Sequence, residues 1–149
     1  MDNYRHILCA TDFSTASDLA CARAATLSQC CDARLTLLHV VDKFPERRSN
    51  QVIAPEHVDP EQHRAEQARQ HLSEQAARVG CETADLQVNF TTESAWREVV
   101  DYAQANQVDL VVLAEHEQSS LKALLPTGIE RIPHQGVCDV LIVPASGER

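Results

Sequence analysis

Five short apolar runs, with helical periodicity between them, restrict the fold of this chain more than any other feature. Four are nearly continuous: His6-Ile7-Leu8-Cys9-Ala10, Leu35-Thr36-Leu37-Leu38-His39-Val40-Val41, Leu110-Val111-Val112-Leu113-Ala114 and Val140-Leu141-Ile142-Val143. A strand that is apolar at successive residues buries both of its faces, as strands of a parallel sheet do when helices cover both sides. The third run in chain order, Leu86-Gln87-Val88-Asn89-Phe90, alternates apolar with polar and reads as an edge strand with one face more exposed.

The intervening segments carry helix signals. Ala16, Leu19, Ala20, Ala24, Leu27 and Cys31 recur at steps of three and four, a narrow face whose alanines let a helix sit close on a sheet. Ser14, Thr15, Ser17 and Asp18 supply capping chemistry at its start. A second helix is expected through Ala65, Ala68, Leu72, Ala76 and Val79, ending at Gly80. A third uses Ala95, Val99, Tyr102 and Ala103, and a short fourth opens near Thr127 and Gly128 and stops about Pro133. The polar span from Lys43 to Pro60, with Pro45 and Pro55 inside it, is expected to form an irregular loop over one end of the sheet. There is no internal repeat and no low-complexity segment. Alternation of this kind builds right-handed βαβ crossovers into a single doubly wound α/β domain.

Charge and cysteine usage exclude several classes. With 22 acidic against 13 basic residues the net charge is -9, which repels polyanions. Arg47-Arg48 is the one basic doublet, too small for a nucleic-acid footprint. No run approaches the roughly 20 apolar residues of a membrane span, and no segment at Met1–His6 reads as a signal peptide, so a cytoplasmic protein is expected. Cys9, Cys21, Cys30, Cys31, Cys81 and Cys138 form no C-x-x-C pair. They read as small, mostly buried residues in a reducing compartment, with Cys30-Cys31 the place to look for redox chemistry. There is no G-x-S-x-G, Walker A or Rossmann glycine fingerprint, and an enzyme is not expected.

In such sheets ligands bind beyond the carboxyl ends of the strands, at the topological switch point. The residues there are Thr11 and Asp12, Val41 and Asp42, and Glu115 to Ser120. These segments resemble the universal stress protein family. His6-Ile7-Leu8-Cys9-Ala10-Thr11-Asp12-Phe13-Ser14 resembles its first strand with the acidic residue and serine that follow. Leu37–Val41 resembles its second strand, and Asp109–Ala114 and Asp139–Pro144 its fourth and fifth. The similarity spans residues 1–149 except for the loop around 43–60.

The resemblance implies a five-stranded parallel sheet of order 3-2-1-4-5 with four helices, the adenine nucleotide alpha hydrolase-like arrangement. It also implies a homodimer, paired through Val140–Val143, and a role in stress survival. The family divides into members that bind ATP and members of the universal stress protein A type that do not. In the binding class, a loop after the fourth strand carries two glycines three apart, then a third ten residues on, followed by Ser or Thr. Aligned on His116, those glycine positions hold Ala114, Glu117 and Thr127, and Gly128 stands where Ser or Thr would follow.

Glycines there would let backbone N–H groups close on phosphates; Glu117 would bring a carboxylate instead. At ~4 Å and an effective dielectric near 20, one such repulsion costs about 4 kcal/mol. That is about half the free energy of a micromolar site. No cofactor is therefore expected, and the alternative is an ATP- or AMP-binding signalling module with a non-standard loop. Its pocket would comprise Asp12 (by the nucleoside in binding members, or a helix-capping acceptor), Val41 (backbone to adenine) and Thr127-Gly128 (a small anion, or a plain helix entry). Glu115-His116-Glu117 lacks the spacing of a metal site, and no metal is expected. His39, inside an apolar strand, reads as a satisfied core or interface histidine.

Overall fold

Every apolar run becomes a strand of one parallel sheet. A computed structural model describes residues 3–42, 60–92, 94–115 and 138–144. Along the chain come β1 (His6–Ala10), α1 (Thr15–Cys31), β2 (Arg34–Asp42), α2 (Pro60–Val79), β3 (Asp85–Thr91), α3 (Ala95–Ala105), β4 (Leu110–Ala114) and β5 (Asp139–Val143). The sheet order is β3-β2-β1-β4-β5, with every pairing parallel. The alternating run is the edge strand β3, as its polar face requires, and β5 forms the other edge. The expected fourth helix lies outside the described residues, as does most of the expected irregular stretch. Pro60, expected within that stretch, is instead the first residue of α2, where its fixed φ and missing N–H suit the first helical position.

The continuous apolar runs feed two cores, one on each side of the sheet. Ile7, Cys9, Leu35, Leu37, Leu110, Val112 and Val143 point to one side and pack with Ala16, Ala20, Cys21, Ala24 and Ala25 of α1 and Leu72 and Ala76 of α2. Leu8, Leu38, Val111 and Leu113 point to the other and pack with Trp96, Val99, Val100 and Ala103 of α3. The face expected for α3 shifts by one residue: Ala95 is exposed, and Trp96 takes the buried place beside Val99 and Val100. The indole Nε1 of Trp96 is buried without a hydrogen-bond partner.

The helix starts follow their capping residues. Ser14 caps α1 through Ser17 N–H (3.1 Å), and Ser94 caps α3 through Arg97 N–H (3.1 Å). At the opposite end of the sheet, His6 is buried, its ring nitrogens 2.8 Å from Thr36 Oγ1 and 3.1 Å from the Asn106 carbonyl. Asp109 accepts the amides of Arg5 and His6 at 2.8 and 2.9 Å, fixing the register of β1 beside β4.

Candidate functional site

The chain winds from β1 through β2 to β3 on one side and returns through β4 to β5 on the other, so the switch point opens between β1 and β4. The loop from Thr11 to Ser14, with the first turn of α1, closes the β1 side. Its conformation is set by its own short polar side chains. Thr11 Oγ1 accepts from Phe13 N–H at 3.1 Å, Asp12 Oδ1 from Ser14 N–H at 3.0 Å, and Ser14 Oγ from Ser17 N–H. Phe13 sits at φ 67°, the left-handed region, which costs an L-residue about 1–2 kcal/mol. The compensation is aromatic. The Phe13 ring stacks on His39 (centroids 4.2 Å apart, planes at 28°) and meets His71 edge-on at 5.3 Å.

His39 is half-buried in β2, and its Nδ1 lies 2.8 Å from the Thr11 carbonyl. Because a carbonyl only accepts, Nδ1 carries the proton. Burial lowers the pKa of His39 from its ordinary 6.5, against the opposing pull of the Thr11 carbonyl and Asp12. The histidine read from the sequence as a satisfied core or interface residue therefore also supports the strained loop.

A polar network then ties this loop to α2. The buried Thr11 hydroxyl lies 2.8 Å from Gln75 Oε1 and 2.9 Å from Ser17 Oγ. Gln75, fully buried in α2, donates Nε2 to Asp18 Oδ1 at 2.7 Å, and Arg78 closes the chain on the same oxygen at 2.9 Å. Burial alone would raise the Asp18 pKa, but hydrogen bonds from Arg78 and Gln75 hold the carboxyl below its ordinary value. Sequence reading missed Gln75. Its one available signal was a glutamine three residues after Leu72 and one before Ala76, on the apolar face of its helix.

Of the residues singled out from sequence, Asp12 is exposed at the end of β1, and Val41 lies near the end of β2 beside Phe90 of β3. Ala114 is buried at the end of β4 and Glu115 is exposed immediately after it. Thr127, Gly128, His116 and Glu117 lie outside the described residues. Asp12 and Glu115 thus terminate the two strands that flank the switch point, and both are acidic. Among the described residues no group of three or more His, Cys, Asp or Glu side chains could hold a metal ion. No described helix is long and apolar enough to cross a membrane.

All of the cysteines but Cys30 are withdrawn at least in part from solvent. Cys9, Cys21 and Cys81 are buried, Cys31 and Cys138 are half-buried, and Cys30 is exposed. Burial and the neighbouring Cys21 push the Cys81 thiol up to about 12, and burial with Asp139 and Asp109 pushes Cys138 up to about 11.

The sequence profile of the universal stress protein family matches residues 3–144. The chain belongs to the universal stress protein family. A curated relative, universal stress protein A homolog 1 of Coxiella burnetii, is 30% identical over 144 residues, covering 95% of this chain and 96% of its own. Among solved structures, a universal stress protein family member from Burkholderia pseudomallei superposes with TM-score 0.66 at 22% identity, covering 97% of this chain and 98% of its own. A universal stress protein in complex with cAMP superposes with TM-score 0.65 at 19% identity, over 97% of this chain and all of the other. At those identities the structural likeness shows the fold, the adenine nucleotide alpha hydrolase-like sheet and its order.

Proposed function

We propose that this universal stress protein acts without ATP, as a non-enzymatic, dimeric stress-response factor of the universal stress protein A type. One observation carries the reading: around the switch point, the groups that would receive phosphates are spent or acidic. The amides of Phe13, Ser14 and Ser17, at the positive end of α1, already donate to Thr11, Asp12 and Ser14 side chains. Across the crevice, Ala114 occupies the first glycine position and an exposed Glu115 follows. The substitutions at Glu117 and Thr127 extend the same pattern in sequence, and the relative at 30% identity is a universal stress protein A homolog. Isothermal titration of the purified protein with ATP is expected to show no binding tighter than about millimolar. A micromolar affinity would overturn the reading.

A second reading has its own support. The exposed Asp12 at the end of β1 and Val41 near the end of β2 are where a nucleoside would be held, and two solved structures of the fold are described as complexes with cAMP and dAMP. On this reading the pocket is completed by Thr127 and Gly128, and the ligand carries few phosphates. It predicts excess absorbance near the purine maximum in the purified protein, abolished by Asp12→Ala.

The dimer is proposed to form through β5. Val140–Val143 is an apolar edge segment, half-buried at three of its four residues, whose outer side is the end of the sheet.

A further inference from the structure

The two buried thiols Cys9 and Cys21 face one another across the β1–α1 packing contact, with Sγ atoms 3.5 Å apart and both residues fully buried. The contact follows from the sequence pattern. α1 presents Ala16, Ala20, Ala24 and Ala25 to the sheet, and these small side chains let the helix approach until two cysteines, one on each element, touch. A disulfide requires sulfurs about 2.05 Å apart, so closure takes a shift of ~1.5 Å shared by two side chains.

We propose that Cys9 and Cys21 are a disulfide pair that a hydroperoxide closes, pinning β1 to α1 across the loop from Thr11 to Ser14. This assigns the redox chemistry to a site other than Cys30-Cys31. Those two are adjacent on a helix, so their side chains leave it about 100° apart, and Cys30 is exposed while Cys31 is half-buried. The inference is independent of whether any nucleotide binds.

One of the two thiols, as thiolate, attacks the peroxide: an S–O bond forms, the O–O bond breaks, and the leaving oxygen takes a proton as water or alcohol. The second thiol then attacks the sulfenic sulfur, forming S–S and breaking S–O, with a further water released. The thiols lose two electrons and two protons, and the peroxide gains them. The product is neutral, so the disulfide remains in the core without a charge to desolvate. The hydrogen bond to Cys21 and burial push the Cys9 thiol well above its ordinary pKa, so thiolate is scarce and the oxidation is slow. Once formed, the bond encloses Asp12, Phe13 and Ser14 in a covalent ring.

The test uses the full-length chain. Both cysteines fall in one tryptic peptide, His6 to Arg23. After exposure to hydrogen peroxide, denaturation and alkylation with iodoacetamide, that peptide is expected to appear lighter by two hydrogens and unalkylated at both sulfurs. Dithiothreitol added before alkylation restores both adducts. A Cys30→Ser, Cys31→Ser double variant, altered only at the end of α1, is expected to give the same result. In Cys21→Ala, Cys9 stays open to alkylation. Retention of both free thiols overturns the proposal, as does sulfinic or sulfonic acid at Cys9 or Cys21 without the bridge. So does loss of the bridge in the Cys30/Cys31 variant.

Discussion

A single histidine shows how much the candidate site depends on neighbours that lie far off in sequence. His39 accepts burial because its Nδ1 proton has the Thr11 carbonyl and its face has Phe13. Its lowered pKa fixes a pH dependence. Between the folded value and the ordinary 6.5, the unfolded chain binds the proton and the native state does not. Stability is therefore full above 6.5 and falls as the pH drops through that window. His39→Asn, whose amide nitrogen replaces Nδ1, removes the titration. Urea midpoints measured from neutral to mildly acidic pH should fall less steeply for the variant than for the wild type. Parallel slopes would show that His39 does not contribute. Gln75 makes the same point without titrating. It was invisible because a glutamine on an apolar helical face pattern reads as a boundary residue, whereas here every polar atom of its amide has a partner within the network.

At the scale of elements, the helix ends share one device. α1, α2 and α3 are each followed by a residue at positive φ: Asp32 (55°), Gly80 (81°) and Gln107 (56°). In each case the next residue returns its N–H to a carbonyl five back: Ala33 to Ser28, Cys81 to Ala76 and Val108 to Ala103, at 2.8, 2.8 and 3.0 Å. Only one of the three is glycine, so only α2 advertised its end in the sequence. A Cβ at Gly80 meets nothing within 4 Å, so the cost of Gly80→Ala comes from the backbone alone and should be about 1 kcal/mol. Gln107→Gly should act oppositely and stabilise by up to ~1 kcal/mol. Urea unfolding of the two variants checks both signs, and a destabilised Gln107→Gly would mean that the side chain contributes more than its backbone strain costs.

For the whole molecule, the two sheet edges are unequal. β3 carries Asp85 paired with Arg34 at 2.7 Å, and Gln87 and Asn89 bonded to one another at 2.8 Å, so its edge is polar. β5 beyond Asp139 is Val140-Leu141-Ile142-Val143. An apolar edge of this kind invites pairing, and sedimentation at micromolar concentration is expected to give twice the chain mass. A monomer at that concentration would contradict pairing through β5. The net charge of -9 would then be doubled in one particle, so dimerisation should strengthen with salt as repulsion is screened.

Residue patterning made the strands and the three described helices legible, while the order of the sheet came from the likeness to the family. Burial of both faces leaves a signature of consecutive apolar residues, and the one alternating run fitted an edge. The sequence also determined the family, through the segments around Asp12, Val41 and Ala114. Which polar residues work together is set by the packing of one element on another. Thr11, Ser17 and Gln75 are joined to one another, and Gln75 to Arg78 through Asp18, by bonds that cross up to 64 residues of chain, and Cys9 meets Cys21 only because α1 lies against β1. Periodicity records how a residue stands toward its own element. It carries no record of which element is packed opposite, and hydrogen bonds and thiol contacts are made there.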